Sequence, residues 1–444
     1  MTQSPDQRLA SLARSLRPGA VGAGLKSFAP VLAGIALAFV LQHYCRIPIG
    51  DYPAKLLLDI GIAVVLAVSL NIVNGFTGQF SMGHAGFMAV GGYVSGMVTY
   101  YGSIKIWAAA AAQSGALSTM KPDISGMALF GGGEPLFLVA ILAGGFVAAI
   151  DKEDEVDEAG GLVAAITGLA VGLPSLRLKG DYLAIVTLGF GEIVRVLVQQ
   201  TLPVMKPQSV AWNLVHPDSP APAGVEKVAA FVSERLNTTT GMTENVYTAV
   251  SEASWVMMAP HVGGALGFNG IPKYNSLFWV YSAVALTLVT AYRLKTSTFG
   301  RAFLSIREDE VAAEAMGVNT TRFKVTAFVV AAFFAGVAGA LASHTLGVGL
   351  GAETAGFQRS FDVIIMVVLG GLGSISGAVI AAAVVTLLPE WLRPIAEYRM
   401  IVFALALILM MIFRPKGLFG VHEIWDRAAW DWLLGRKSPG GGKP

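Results

Sequence analysis

The chain has 444 residues, 54% of them hydrophobic and only 14% charged, with a mean hydropathy of +0.63; a soluble domain carries about 25% charged residues, so this composition belongs in a bilayer. A formal net charge of +2 is too small to attract nucleic acid, and the single cysteine, Cys45, excludes an intrachain disulfide. No Walker A pattern, metal-ligand histidine pair or nucleophile elbow occurs, so no catalytic residue, cofactor or metal site is expected, and any energy source lies in another polypeptide.

Residues 1–27 hold Arg8, Arg14, Arg17 and Lys26 against the lone acid Asp6, and the apolar run that follows lacks a small-residue cleavage site. They read as a cytoplasmic tail before an uncleaved first span at 28–44. A second run, 54–73, is long enough to cross a hydrocarbon core of about 30 Å. It enters residues 71–93, which carry six glycines. Glycine lets the backbone leave the helical ladder, and the freed N–H and C=O groups survive at membrane depth only inside protein or along a wet cavity. Residues 103–135, a mixed Ala, Gly and Ser segment, are placed outside.

The string Ala143-Gly-Gly-Phe-Val-Ala-Ala-Ile150 recurs with one change at 159–166, and between the copies runs the acidic stretch 151–158. Its six carboxylates cannot sit at the bilayer centre, so one copy alone is expected to span. The charge-free stretch 159–176 meets Arg177 and Lys179 and is chosen, leaving 151–158 as a solvated outer loop. Residues 182–198 are apolar except for Glu192 and Arg195, whose spacing sets them on one helical face as an ion pair. Residues 200–275 form an outer loop subdomain, with Val225, Val228, Val232 and Leu236 at helical spacing. The run 277–292 then delivers Arg293, Lys295, Arg301, Arg307, Arg322 and Lys324 to a short loop, which is cytoplasmic by its positive charge. A span at 325–346 follows, then a second glycine-broken segment within 361–388, then 400–413 ending at Arg414-Pro-Lys416. Trp425, Trp430 and Trp432 suit the membrane interface. The expected organisation is a tail at 1–27, a transmembrane domain at 28–418 containing a coupling loop at 293–324, and a tail at 419–444. The fold class is an all-α polytopic membrane protein of about 8–10 spanning or half-spanning helices with glycine-broken segments and both termini cytoplasmic.

Two glycine-broken segments in corresponding parts of a chain point to a transport site, although close packing through small residues is the other use of glycine in a bilayer. The expected pathway lining is Asn71, Gly75, Gly78, Ser81, Gly83 and His84 from the first break, with Gly370, Gly371, Gly373 and Ser374 from the second. Backbone dipoles there would meet a polar substrate without a fixed charge, and His84 is read as a hydrogen-bonding or packing residue. Asp59, Asp362, His84 and His344 fall near predicted segment ends, which weakens the alternative of an ion-coupled secondary transporter. Residues 308–319 predict a short helix stopped by Gly317. On a basic cytoplasmic loop such a helix suits docking of a soluble partner, with Arg307, Glu310, Glu314 and Gly317 as coupling residues.

Four strings in order, at 71–93, 176–195, 299–319 and 368–378 with 413–418, resemble the permease subunit of branched-chain amino-acid ABC importers, the hydrophobic amino-acid uptake family. The resemblance covers most of 54–418; the acidic insert, the segment 103–135 and the loop 200–262 depart from it. It implies multi-pass insertion in the bacterial cytoplasmic (inner) membrane as a transport subunit without an ATPase site. The implied partners, besides the lipid bilayer, are a sister permease subunit, two cytoplasmic ATP-binding subunits and a periplasmic substrate-binding protein. The implied cargo is Leu, Ile and Val, with urea or short amides as the alternative served by the same machinery.

Overall fold

The computed structural model describes residues 19–44, 51–107, 134–149, 181–207, 226–239, 254–345 and 350–393, with 215–216, 247–248 and scattered positions from 398 to 423. The acidic run, the second repeat copy, the tryptophan cluster, residues 1–18 and most of 400–413 lie outside the described residues. The described chain is almost entirely helical: α1 Gly19–Tyr44, α2 Asp51–Asn71, α3 His84–Trp107, α4 Glu134–Ala149, α5 Asp181–Gln199, α6 Glu226–Thr239, α7 Trp255–Met258, α8 Leu277–Thr296, α9 Thr298–Glu308, α10 Glu310–Ala315, α11 Thr320–Ser343, α12 Phe357–Gly370 and α13 Ile375–Trp391. The described extended structure is a two-residue parallel pairing of Lys206–Pro207 with Tyr247–Thr248 and a bridge between Phe268 and Leu350.

Among the described residues, Tyr52–Phe76, Tyr182–Gln199, Leu277–Thr296 and Thr320–Ser343 are long and apolar enough to cross a membrane, and Pro30–Gln42, Leu136–Phe146 and Ile375–Trp391 are shorter apolar helices. The ends of these helices follow local chemistry. Asn319 accepts the Arg322 N–H at the start of α11, Ser297 accepts the Gly300 N–H at the start of α9, and Ser374 accepts the Gly377 N–H at the start of α13.

Lipid tails are as apolar as leucine, so helices in a bilayer associate through close packing and interhelical hydrogen bonds rather than through exclusion of water. The core shows this. Helices α3, α4 and α11 pack together, α2 lies against α8, α11, α12 and α13, and α1 lies against α8. A β-carbon on Gly339 of α11 would overlap the Met88 carbonyl oxygen of α3, and one on Gly144 of α4 would sit 2.6 Å from the Gly91 carbonyl oxygen of α3. These helices therefore meet backbone to backbone.

Residues 143–149 of the first repeat copy close α4, with Gly144 and Gly145 seated on α3 and α11. Charge counting could not see that fit, because it depends on which helix the glycines face. Helix α3 continues to Trp107, within the segment 103–135, and Tyr100, Tyr101 and Ile104 are buried. The Tyr101 hydroxyl donates to the His261 carbonyl at 2.6 Å and accepts the Met205 N–H at 3.1 Å, while Leu202 and Gly263 tie the strands of the 200–275 region together. That region is thus knitted onto the end of α3.

Candidate functional site

The two glycine-rich segments meet. Helix α2 loosens into a π-helical turn at Ile72–Phe76, and α12 ends where Gly371 and Gly373 take φ of +106° and +89°, conformations that a side chain rarely adopts. The Asn71 amide bridges them, accepting the Gly373 N–H at 2.9 Å and donating to the Ser374 carbonyl at 3.0 Å. A β-carbon on Gly75 would overlap Asn71 Oδ1, and Gly370 lies backbone to backbone with Gly377. Asn71, Gly75, Gly370, Gly371, Gly373 and Ser374 are all buried, so this junction is filled with protein.

Cations and one carboxylate clamp it from outside. Arg307 Nη1 donates to the Gly75 carbonyl at 2.8 Å, and Lys295 Nζ donates to the Gly373 carbonyl at 2.8 Å and to Glu423 Oε1 at 2.5 Å. Glu423 also accepts the Ile375 N–H at 3.0 Å, the Ser376 N–H at 2.9 Å and the Ser376 hydroxyl at 2.7 Å. It thereby satisfies amides that the first turn of α13 would otherwise leave without partners. Burial alone would raise the Glu423 carboxyl, but the Lys295 ammonium and the Ser376 and Ile375 donors outweigh it and hold the group below the usual glutamate range. Leu418 N–H donates to the Leu369 carbonyl at 2.7 Å. The start of the expected C-terminal tail is accordingly part of the bundle.

The other predicted lining residues sit on the loop from α2 to α3. Gly78 takes φ +71° and is exposed beside Arg307. Ser81 N–H donates to Asn74 Oδ1 at 3.1 Å, Gly83 lies against the Thr187 carbonyl of α5, and His84 Nε2 is 2.7 Å from Ser69 Oγ. The Ser69 proton goes to the Leu66 carbonyl, so the imidazole is the donor in that pair and is fully committed to packing α3 against α2.

The predicted coupling residues divide. Glu310 pairs with Lys324 at 2.6 Å and Glu314 accepts the Thr320 hydroxyl at 2.6 Å, so both brace α10 against the start of α11. Gly317, at φ +85°, ends that turn with open space around it. Beside the exposed Glu314 and Gly317, Val311 and Met316 are 69% and 85% exposed.

A cavity of about 480 Å³ lies elsewhere, between α2, α12, α13 and the end of α11. Asp59, Glu353, Arg359 and Asp362 form its charged wall, and Ile62, Met88, Leu350 and Met366 its apolar one. Asp59 lies in the first part of the span Tyr52–Phe76, and Asp362 in the second turn of α12. His84 opens α3, and His344 caps α11, buried between Phe137 and Thr99.

A family model described as the permease component of the branched-chain amino acid transport system matches residues 158–412. The high-affinity branched-chain amino acid transport system permease protein LivM of Salmonella typhimurium is 30% identical over 360 residues, which is 80% of this chain and 67% of the relative. The chain belongs to the branched-chain amino acid transport permease family. LivM of Escherichia coli K12 is also 30% identical, over 358 residues, 80% of this chain and 67% of the relative. LivH of Salmonella typhimurium is 28% identical over 202 residues, 44% of this chain and 62% of the relative. No solved structure matches.

The permease is a multi-pass membrane protein and a transport component. Sequence reasoning found the Glu192–Arg195 pair, which closes at 2.6 Å and in which Glu192 accepts the Phe357 N–H at 2.9 Å. It missed Glu423, Lys295 as its partner, and Arg359. The signal available for Arg359 was a basic residue three positions before Asp362 at the start of an apolar run, a pattern that also describes an ordinary helix entrance.

Proposed function

We propose that the permease is the membrane subunit of an ATP-driven importer, passing Leu, Ile and Val from a periplasmic binding protein to the cytoplasm across the bacterial inner membrane. A sister permease subunit and two cytoplasmic ATP-binding subunits complete the assembly, and both termini lie inside. Arg307 carries this reading: its bond of 2.8 Å to the Gly75 carbonyl ties α9 to the break in α2. A partner pressing on the exposed Val311 and Met316 of the adjoining helix thereby moves the glycine junction. The junction and the cavity share α2, α12 and α13, so a shift at one end alters the space at the other. The predicted lining glycines act in this scheme as the pathway's inner constriction.

Asp59 and Asp362, inside helices that line the cavity, favour a second reading as an ion-coupled transporter. Leucine uptake into sealed vesicles separates the two. Dependence on ATP hydrolysed by a second polypeptide supports the importer, whereas uptake that follows an imposed proton or sodium gradient without ATP refutes it.

A further inference from the structure

Arg359 lies on the cavity wall half-buried, and among the described residues no hydrogen bond or ion pair holds its guanidinium. Its charge is nevertheless felt by both Asp59 and Asp362, which also line the cavity without hydrogen-bond partners among the described residues. Charges placed in or beside a spanning segment without partners are costly, and sites that retain them are functional. A guanidinium facing a cavity is a bidentate receptor for a carboxylate, and the two aspartates accept from an ammonium. About one helical turn along from the two aspartates, Ile62 and Met366, with Met88, give the cavity an apolar part, and the volume falls in the range of small-molecule sites, about 300–1,000 Å³.

We propose that this cavity holds the amino acid in transit, with Arg359 binding its carboxylate, Asp59 and Asp362 its ammonium, and the apolar wall its branched side chain. The inference rests on the importer reading and adds the residues by which the permease itself distinguishes its cargo. Urea or a neutral amide would offer Arg359 no carboxylate to bind, and a simple anion would face three carboxylates. A zwitterion with an aliphatic side chain matches each wall.

The test uses the full-length permease co-purified with the subunits it assembles with, in nanodiscs and without binding protein, and reads saturation-transfer NMR of leucine, leucinamide, 4-methylpentanoate and urea. Leucine is expected to give the strongest signal, since leucinamide lacks the carboxylate and 4-methylpentanoate lacks the ammonium. Arg359→Gln should weaken leucine about 10- to 100-fold, the loss of a charge-assisted hydrogen bond of about 1.5–3 kcal/mol, and should bring leucine and leucinamide to parity. Arg359→Lys should retain part of the preference. If Arg359→Gln fails to assemble, Arg359→Lys and Asp362→Asn carry the comparison, the latter weakening leucine but not 4-methylpentanoate. An unchanged preference for leucine over leucinamide in Arg359→Gln overturns the proposal, as does loss of subunit assembly with undiminished leucine signal. Leucine uptake by cells carrying the wild-type complex is measured in parallel. Its absence would sink the importer reading, while the NMR preferences still decide the cavity.

Discussion

Glu423 offers a quantitative test of the clamp around the glycine junction. Replacing it by glutamine keeps the shape and removes the charge. One glutamine oxygen cannot serve both Lys295 with Ile375 on one side and the Ser376 donors on the other, so the amide NH2 must face donors on one side. Leaving one buried donor without a partner costs about 1–3 kcal/mol. Losing the anion at the start of α13 adds about 0.3–2 kcal/mol, and Lys295, a quarter exposed, recovers some hydration. The net loss should be about 3 kcal/mol, near the lower end for a broken buried pair. Thermal unfolding of the detergent-solubilised protein, followed by tryptophan fluorescence, measures it. The double variant Lys295→Met with Glu423→Gln should be more stable than Glu423→Gln alone, because a neutralised pair leaves no uncompensated charge. Because the folded carboxyl is held below its usual value, its contribution is present above about pH 4.3 and is lost as pH falls through the lower folded value. The wild-type midpoint should drop over that acid window more steeply than the variant's. A Glu423→Gln midpoint equal to wild type, with the same acid profile, would refute the clamp.

Replacing Val311 and Met316 together by serine should leave the unfolding midpoint nearly unchanged, as exposed substitutions shift stability by about 0.5 kcal/mol or less, yet abolish ATP-driven uptake; normal uptake removes α10 as the docking element. Arg307→Gln should raise the ATP hydrolysed per leucine imported, and an unchanged ratio in reconstituted vesicles would detach Arg307 from coupling. Gly371→Val, forced to φ +106° against Gly420, should stop uptake through backbone strain of about 1–3 kcal/mol, and wild-type rates would take that glycine out of the mechanism. Gly339→Ala should cost about 1–3 kcal/mol by overpacking, read as a lowered midpoint.

What local pattern encodes was readable before any coordinates. The run beginning at Leu277 forms the helix Leu277–Thr296, with Arg293 and Lys295 in its last turn. The spacing of Glu192 and Arg195 was sufficient to pair them. What was not readable depends on residues distant in the chain. Nothing near Glu423 announces that a helix start nearly fifty positions earlier will claim its carboxylate, and the tail around it reads as surface. Glu310 and Glu314 had the composition of a docking face, and their partners Lys324 and Thr320 come from the next helix. For the cavity, Asp59 and Asp362 stood out one at a time in the sequence, but that they line one cavity with Arg359 depends on how α2 and α12 pack.

The contacts of Gly339 with Met88 and of Gly144 with Gly91 make α3, α4 and α11 behave as one keyed solid. Sliding any of the three by a single residue would drive a β-carbon or larger side chain into a facing carbonyl, so the trio has no shear mode available. A torque delivered at the start of α11 therefore reaches its other end without slip. The deformation concentrates where the backbone is already unwound, at Ile72–Phe76 and at Gly371 to Gly373. Stiffness in one half of the molecule thus makes the other half its hinge.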